Sequence, residues 1–201
     1  MNIASMFNSI FIHLQITFLG VLAGCLIGIP LASLLKKRAA LAKTVMNIVD
    51  IIQTIPTLAL LTFLMLFMGL NDRTVIMAIF LYSLFPIVRN TYTGITNIDK
   101  GVLKAGKGMG MTAWQIYIKL ELPLALPVIL SGVRLALISA LGIATTGVLI
   151  GAGGLGMLVW RGIQTRNTAM MLSGAIPISL LAVLFDVLLS KLETRQKRVT
   201  Q

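Results

Sequence analysis

TYTGITNIDKGVLKAGKGMGMTAWQIYIKLELP, residues 91–123, closes the longest polar interval of a chain that is otherwise built from apolar blocks. Asp99 stands where its carboxylate can accept the free N–H groups of a helix over residues 100–107, and Thr112 stands likewise before a second helix over 113–119. Gly108 and Gly110 lie between the two and permit a turn with positive φ. The second helix carries Trp114, Ile116, Tyr117 and Leu120 on its apolar side. The expected product is two short helices joined at a glycine elbow.

What flanks this interval decides where it lies. Of 201 residues, 57% are hydrophobic and 11% charged, against roughly 25% charged in a soluble domain. There is too little polar side chain to coat a water-exposed globule. The apolar residues come in blocks of the length that crosses a hydrocarbon layer of about 30 Å at about 1.5 Å per helical residue. Five spans are expected, at about 8–35, 46–69, 74–91, 122–149 and 169–190, in a single transmembrane domain over 1–201 with its polar loop at about 92–121. The fold class is all-α and polytopic. Gly20, Gly24 and Gly28 form a smooth ridge for close helix approach. Pro30, Pro56, Pro86 and Pro177 can kink their spans. Cys25 sits inside an apolar block and offers no disulfide or metal reading.

The net charge of +11 would suggest nucleic acid on a soluble protein, but here the basic residues sit between apolar blocks. Thirteen fall on one side: Lys36, Lys37, Arg38 and Lys43; Arg89, Lys100, Lys104, Lys107 and Lys119; Lys191, Arg195, Lys197 and Arg198. Only Arg73, Arg161 and Arg166 fall on the other. The positive-inside rule then puts the N-terminus outside, and the 91–123 interval and C-terminus in the cytoplasm. Residues 1–11 hold no Lys or Arg, so the basic start of a cleavable signal peptide is missing.

The interval resembles the Glu-Ala-Ala loop of ATP-binding-cassette importer permeases, E-A-A-x3-G-x9-I-x-L-P. Lys104, Ala105 and Gly106 are followed after three residues by Gly110, and nine residues later by Leu120-Glu121-Leu122-Pro123. Lys104 replaces the acidic residue and inverts its charge, and Gly106 replaces the second Ala. IQTIPTLAL (52–60), LYSLFPIVRNTYTGI (81–95), GMGMT (108–112), LELPLALPVILSGVR (120–134) and GAGGLG (151–156) resemble the osmoprotectant branch of those permeases. The resemblance implies a type I, MetI-like importer fold with two permease chains, alike or related, two cytoplasmic ATPases and an extracellular binding protein. It implies glycine betaine, carnitine or choline as cargo, and Lys104, Ala105, Gly106, Gly110, Leu120, Leu122 and Pro123 as the set that couples to the ATPase. Some relatives carry the binding domain fused; the chain's end at Gln201 makes a separate binding protein the expectation.

Two glycine motifs mimic nucleotide sites. Residues 101–108 nearly spell a phosphate-binding loop, but Gly108 stands where Ser or Thr would hold magnesium, and no buried strand precedes it. ATP and its magnesium are therefore expected on the partner ATPase, with no cofactor or metal on this chain. Residues 151–156 fit G-x-G-x-x-G without the strand or later acidic residue of a dinucleotide site. Gly151, Gly153, Gly154 and Gly156 read instead as a bend at the outer pore mouth, followed by a short interfacial helix bearing Trp160. Arg134 would cost about 2.5–3.5 kcal/mol at the bilayer centre, so it is expected to face the bundle interior or reach the cytoplasmic edge, and is grouped with these glycines as a candidate gate. Asp50 and Asp186 are expected to pair with basic neighbours, and His13 reads as an interfacial histidine.

Other readings make different demands. An importer of an amino acid such as methionine would keep the same architecture. An ion-coupled secondary transporter would need paired intramembrane carboxylates and broken helices in a repeat. A membrane enzyme would need a catalytic set. Two Trp, three Tyr and eight Phe scattered along the chain form no obvious cage for a quaternary ammonium ion, as expected if the cage belongs to the binding protein that the resemblance implies.

Overall fold

A computed structural model describes residues 3–199. The ends 1–2 and 200–201, and the side chains of Lys197 and Arg198 counted above, lie outside the described residues. Among the described residues, four helices are long and apolar enough to cross a membrane, or five spans if a bent pair counts as one. The four belong to α1 (Ile3–Leu35), α4 (Asp72–Thr96), α7 (Leu122–Thr146) and α9 (Thr168–Val199). α4 is the central element, with α1 and α7 against it, and α9 packs on α7.

The glycine ridge explains the α1–α4 contact. A Cβ on Gly20 would lie 2.4 Å from Ile79 Cγ2, and one on Gly24 would lie 2.0 Å from Ser83 Oγ. Only hydrogen atoms there let the two backbones meet. α7 approaches α4 equally closely, since a Cβ on Gly132 would stand 2.6 Å from the Pro86 carbonyl. α4 runs on through Pro86, whose carbonyl accepts from Asn90 Nδ2 at 2.8 Å. The main core joins Ile16 and Val21 to Leu61, Val75 and Ile79, and to Ala140 and Ala144 of α7.

The expected second span at 46–69 is two helices, α2 (Ala39–Thr54) and α3 (Thr57–Met68), bent by 98° at Ile55–Pro56. Pro56 has no N–H for the helix ladder, and a residue before proline is driven to extended backbone, as Ile55 is at φ −67, ψ 127. The Tyr82 hydroxyl of α4 donates to the Ile55 carbonyl and holds the break. Val49 of α2 packs with Ala32, Leu84 and Val88, and Asp50 pairs with Arg89 at 3.2 Å. α9 presents Leu172, Ile176, Leu180, Val183 and Leu184 outward; such a stripe is stable where lipid or another apolar surface replaces water.

Candidate functional site

The elbow forms as its caps dictate. α5 (Lys100–Gly108) starts at Asp99, whose Oδ1 accepts from Gly101 N at 2.6 Å and Val102 N at 3.2 Å. It ends as the Gly110 N–H donates to the Lys107 carbonyl and the Met111 N–H to the Gly106 carbonyl, at 3.0 and 3.1 Å. That paired closure needs a left-handed residue, supplied by Gly110 at φ 79. Gly108 stays within α5. α6 (Ala113–Ile116) starts with a capping box: Thr112 Oγ1 accepts from Gln115 N at 3.3 Å, and Gln115 Oε1 accepts from Thr112 N at 2.8 Å.

The second arm differs from the expected free helix over 113–119. After Ile116 the chain widens into a π turn, Tyr117–Glu121, and passes without a break into α7. Pro123 cannot donate to the carbonyl four residues back, and the wider turn precedes it, closed by the Leu122 N–H on the Tyr117 carbonyl. Elbow arm and spanning helix are thus one apolar stretch, Ala113–Ile150.

Gly106 is buried where the arms touch; a Cβ there would lie 2.8 Å from Leu120 Cδ1. Leu122 and Tyr117 pack on Ile95, Ala125 and Ile129. Lys104 and Ala105 are exposed, as are Gly110 and Pro123. Ile116 is buried, but Trp114, expected on the same apolar side, is 68% exposed and only leans on the Tyr117 ring at 5.8 Å. Residues 101–108, the near-phosphate loop, lie within α5. Two links that the sequence reading did not anticipate join the elbow to the last turn of α1 and the turn after it: Lys36 pairs with buried Glu121, and the Tyr117 hydroxyl donates to Ser33 Oγ at 3.0 Å. A carboxylate inside the otherwise apolar Leu120–Pro123 run was the available signal.

The glycine group lies at the opposite end of α7. Gly151 and Gly154 have φ of 80 and 97. The Gly153 N–H donates to Asp72 Oδ1 at 2.9 Å. A Cβ on Gly154 would press on His13 at 3.1 Å, and one on Gly156 would stand 2.3 Å from the Thr145 carbonyl. Ala152 and Leu155 are fully buried. The bend is a close-packed corner leading into α8 (Gly156–Gln164), which packs on α9. His13 is fully buried beneath it; neither ring nitrogen makes a hydrogen bond of normal geometry, though the Leu141 backbone lies near enough to interact. Arg134 reaches Asp186 at 3.4 Å and Glu193 at 3.6 Å, tying α7 to α9. The structure therefore keeps elbow, arginine and glycine corner apart along α7.

The architecture is an all-helical bundle with a polar elbow continuous with one of its apolar spans, the form of a transport permease. Residues 20–198 match the binding-protein-dependent transport system inner membrane components, and the chain belongs to that family of multi-pass membrane proteins. It is 50% identical over 182 residues to the carnitine transport permease protein OpuCD of Listeria monocytogenes, covering 90% of this chain and 82% of that one. It is 49% identical to the glycine betaine/carnitine/choline transport system permease protein OpuCD of Bacillus subtilis, covering 90% and 80%. The fold matches a chain of the inward-facing MetNI methionine ABC transporter with a TM-score of 0.84 and 26% identity, covering 98% and 99%.

Proposed function

We propose that this chain is the membrane permease of an ATP-driven importer of osmoprotectant quaternary ammonium compounds, of the glycine betaine, carnitine and choline class. The observation that carries the reading is 50% identity over nine-tenths of the chain to a carnitine permease, against 26% to the methionine system. Two ATPases bearing ATP and magnesium, a second permease chain and a separate extracellular binding protein complete the machine. The basic-residue asymmetry supports an outside N-terminus and a cytoplasmic elbow.

The elbow is the handle for the ATPases. Its exposed face, with Lys104 and Ala105, docks; Gly110 sets the angle; Leu120, Leu122 and Pro123 pass the motion on. Because the second arm and α7 form one stretch, a tilt imposed on the elbow turns α7 as a body, a discrete repacking of helices rather than a smooth flexing. The glycine corner is the far end of that lever and the candidate gate.

In cells lacking other osmolyte importers, this chain with its ATPase and binding protein restores uptake of labelled carnitine or choline and leaves methionine uptake at background. Methionine uptake alone would replace the cargo assignment. A thiol placed at Ala105 or Thr112 cross-links to the ATPase; ready labelling there by an impermeant reagent on intact cells would overturn the orientation.

A further inference from the structure

The elbow meets α1 through side chains. Between them lies a half-open cavity of about 630 Å³, lined by Pro30, Leu34 and Lys37 on one side and Ala113, Trp114 and Ile116 on the other. Two polar links cross it. Lys36 pairs with Glu121, whose side chain is 8% exposed, and Tyr117 donates to Ser33, which itself donates to the Ile29 carbonyl at 2.8 Å. Lys36 Nζ also lies 5.7 Å from the centre of the Tyr117 ring, so the two links touch.

The spacing matters. Ser33 lies in the last turn of α1 and Lys36 in the turn just past its end, three residues on, while Tyr117 and Glu121 are four apart across the π turn. One link would act as a pivot. Two links, one on the last turn of α1 and one just past its end, fix rotation as well as distance. The attachment falls on the π turn, where the arm becomes α7, and such turns cluster at functional positions.

We propose that Ser33 and Lys36 with Tyr117 and Glu121 form a two-point clamp that makes α1 follow the elbow, so that ATPase motion reaches α1 as well as α7. The four are positioning residues, and the proposal rests on the elbow being the ATPase handle. Lys36→Gln leaves the buried Glu121 carboxylate unpaired and Glu121→Gln removes the carboxylate itself, so either variant opens the ionic link and leaves the Tyr117–Ser33 bond as a single pivot.

The test uses the whole importer in proteoliposomes, reading cargo uptake and ATP hydrolysis together. Lys36→Gln and Glu121→Gln are expected to keep the ATPase bound while lowering uptake per ATP at least fivefold. The reversed pair, Lys36→Glu with Glu121→Lys, is expected to recover at least half of that ratio. In a Cys25→Ser background, Lys36→Cys with Glu121→Cys is uncoupled until a short bis-thiol reagent joins the two positions, which restores the ratio. An unchanged ratio in both neutral variants, or failure of both reversal and cross-link to restore it, overturns the clamp. If the unaltered chain fails to retain an ATPase, the handle reading falls and takes the clamp with it; a retained ATPase with no change in ratio refutes the clamp alone.

Discussion

The two ends of α7 solve opposite problems. At its start, helix caps hold the chain and long side chains link it to α1 across a cavity. At its finish, glycines let backbone sit directly on His13 and on the Thr145 carbonyl. The first end leaves Lys104, Ala105 and Gly110 exposed. The second leaves no room for an added side chain. Under the proposed function, α7 connects a graspable end to a seated end, as a lever requires.

The contrast can be broken most severely at the seated end. Gly156→Val drives a side chain into the Thr145 carbonyl, 2.3 Å from its Cβ, at a cost of about 3 kcal/mol or more. Size-exclusion chromatography of the detergent-solubilised protein is expected to show little monodisperse material; a normal profile would mean the corner is not close-packed. Gly110→Val meets no neighbouring atom but forces a β-branched residue to φ 79, a strain of about 1–3 kcal/mol. Insertion is expected to be normal and uptake at least tenfold lower, and wild-type uptake would remove the elbow from the mechanism. Asp72→Ala deprives the Gly153 N–H of its acceptor and is expected to cost about 1–2 kcal/mol. For this chain length that is a fall of a few degrees in Tm, readable by thermal unfolding in detergent. Thr112→Ala removes one half of the capping box, worth about 1 kcal/mol of local helix. A change of about twofold in uptake, with unaltered Tm, would place flexibility at the graspable end.

Local chemistry was legible and distant chemistry was not. Asp99, Thr112 and Gly110 act within a few residues of themselves, so their caps and turn could be read from spacing, and the structure places them accordingly. The pairing of Asp50 and Asp186 followed from the need of a carboxylate near lipid for a cation. Of the candidate site, the elbow's parts were visible but not its fusion to α7, since Pro123 reads equally well as a helix start. The Lys36–Glu121 link spans 85 residues of sequence; a carboxylate in an apolar run marks Glu121 as needing a partner, but nothing local says which cation it meets. The burial of His13 was hidden for a similar reason: its cover is Gly154, a residue without a side chain that lies 141 positions further along the chain. Pro56 announced a kink but not a 98° break, because the group that stabilises the break, Tyr82, belongs to another helix.

That break carries an obligation. The twelve residues of α3 rise about 18 Å, well short of the roughly 30 Å apolar slab. Where α2 and α3 together make one span, the break at Ile55 and Pro56 falls within the slab's depth, beside exposed Gln53 and Thr54. Acyl chains cannot hydrate uncoiled peptide or an amide side chain. In that arrangement this face needs a neighbouring subunit or a water-lined route, and oil is the one surrounding it cannot accept.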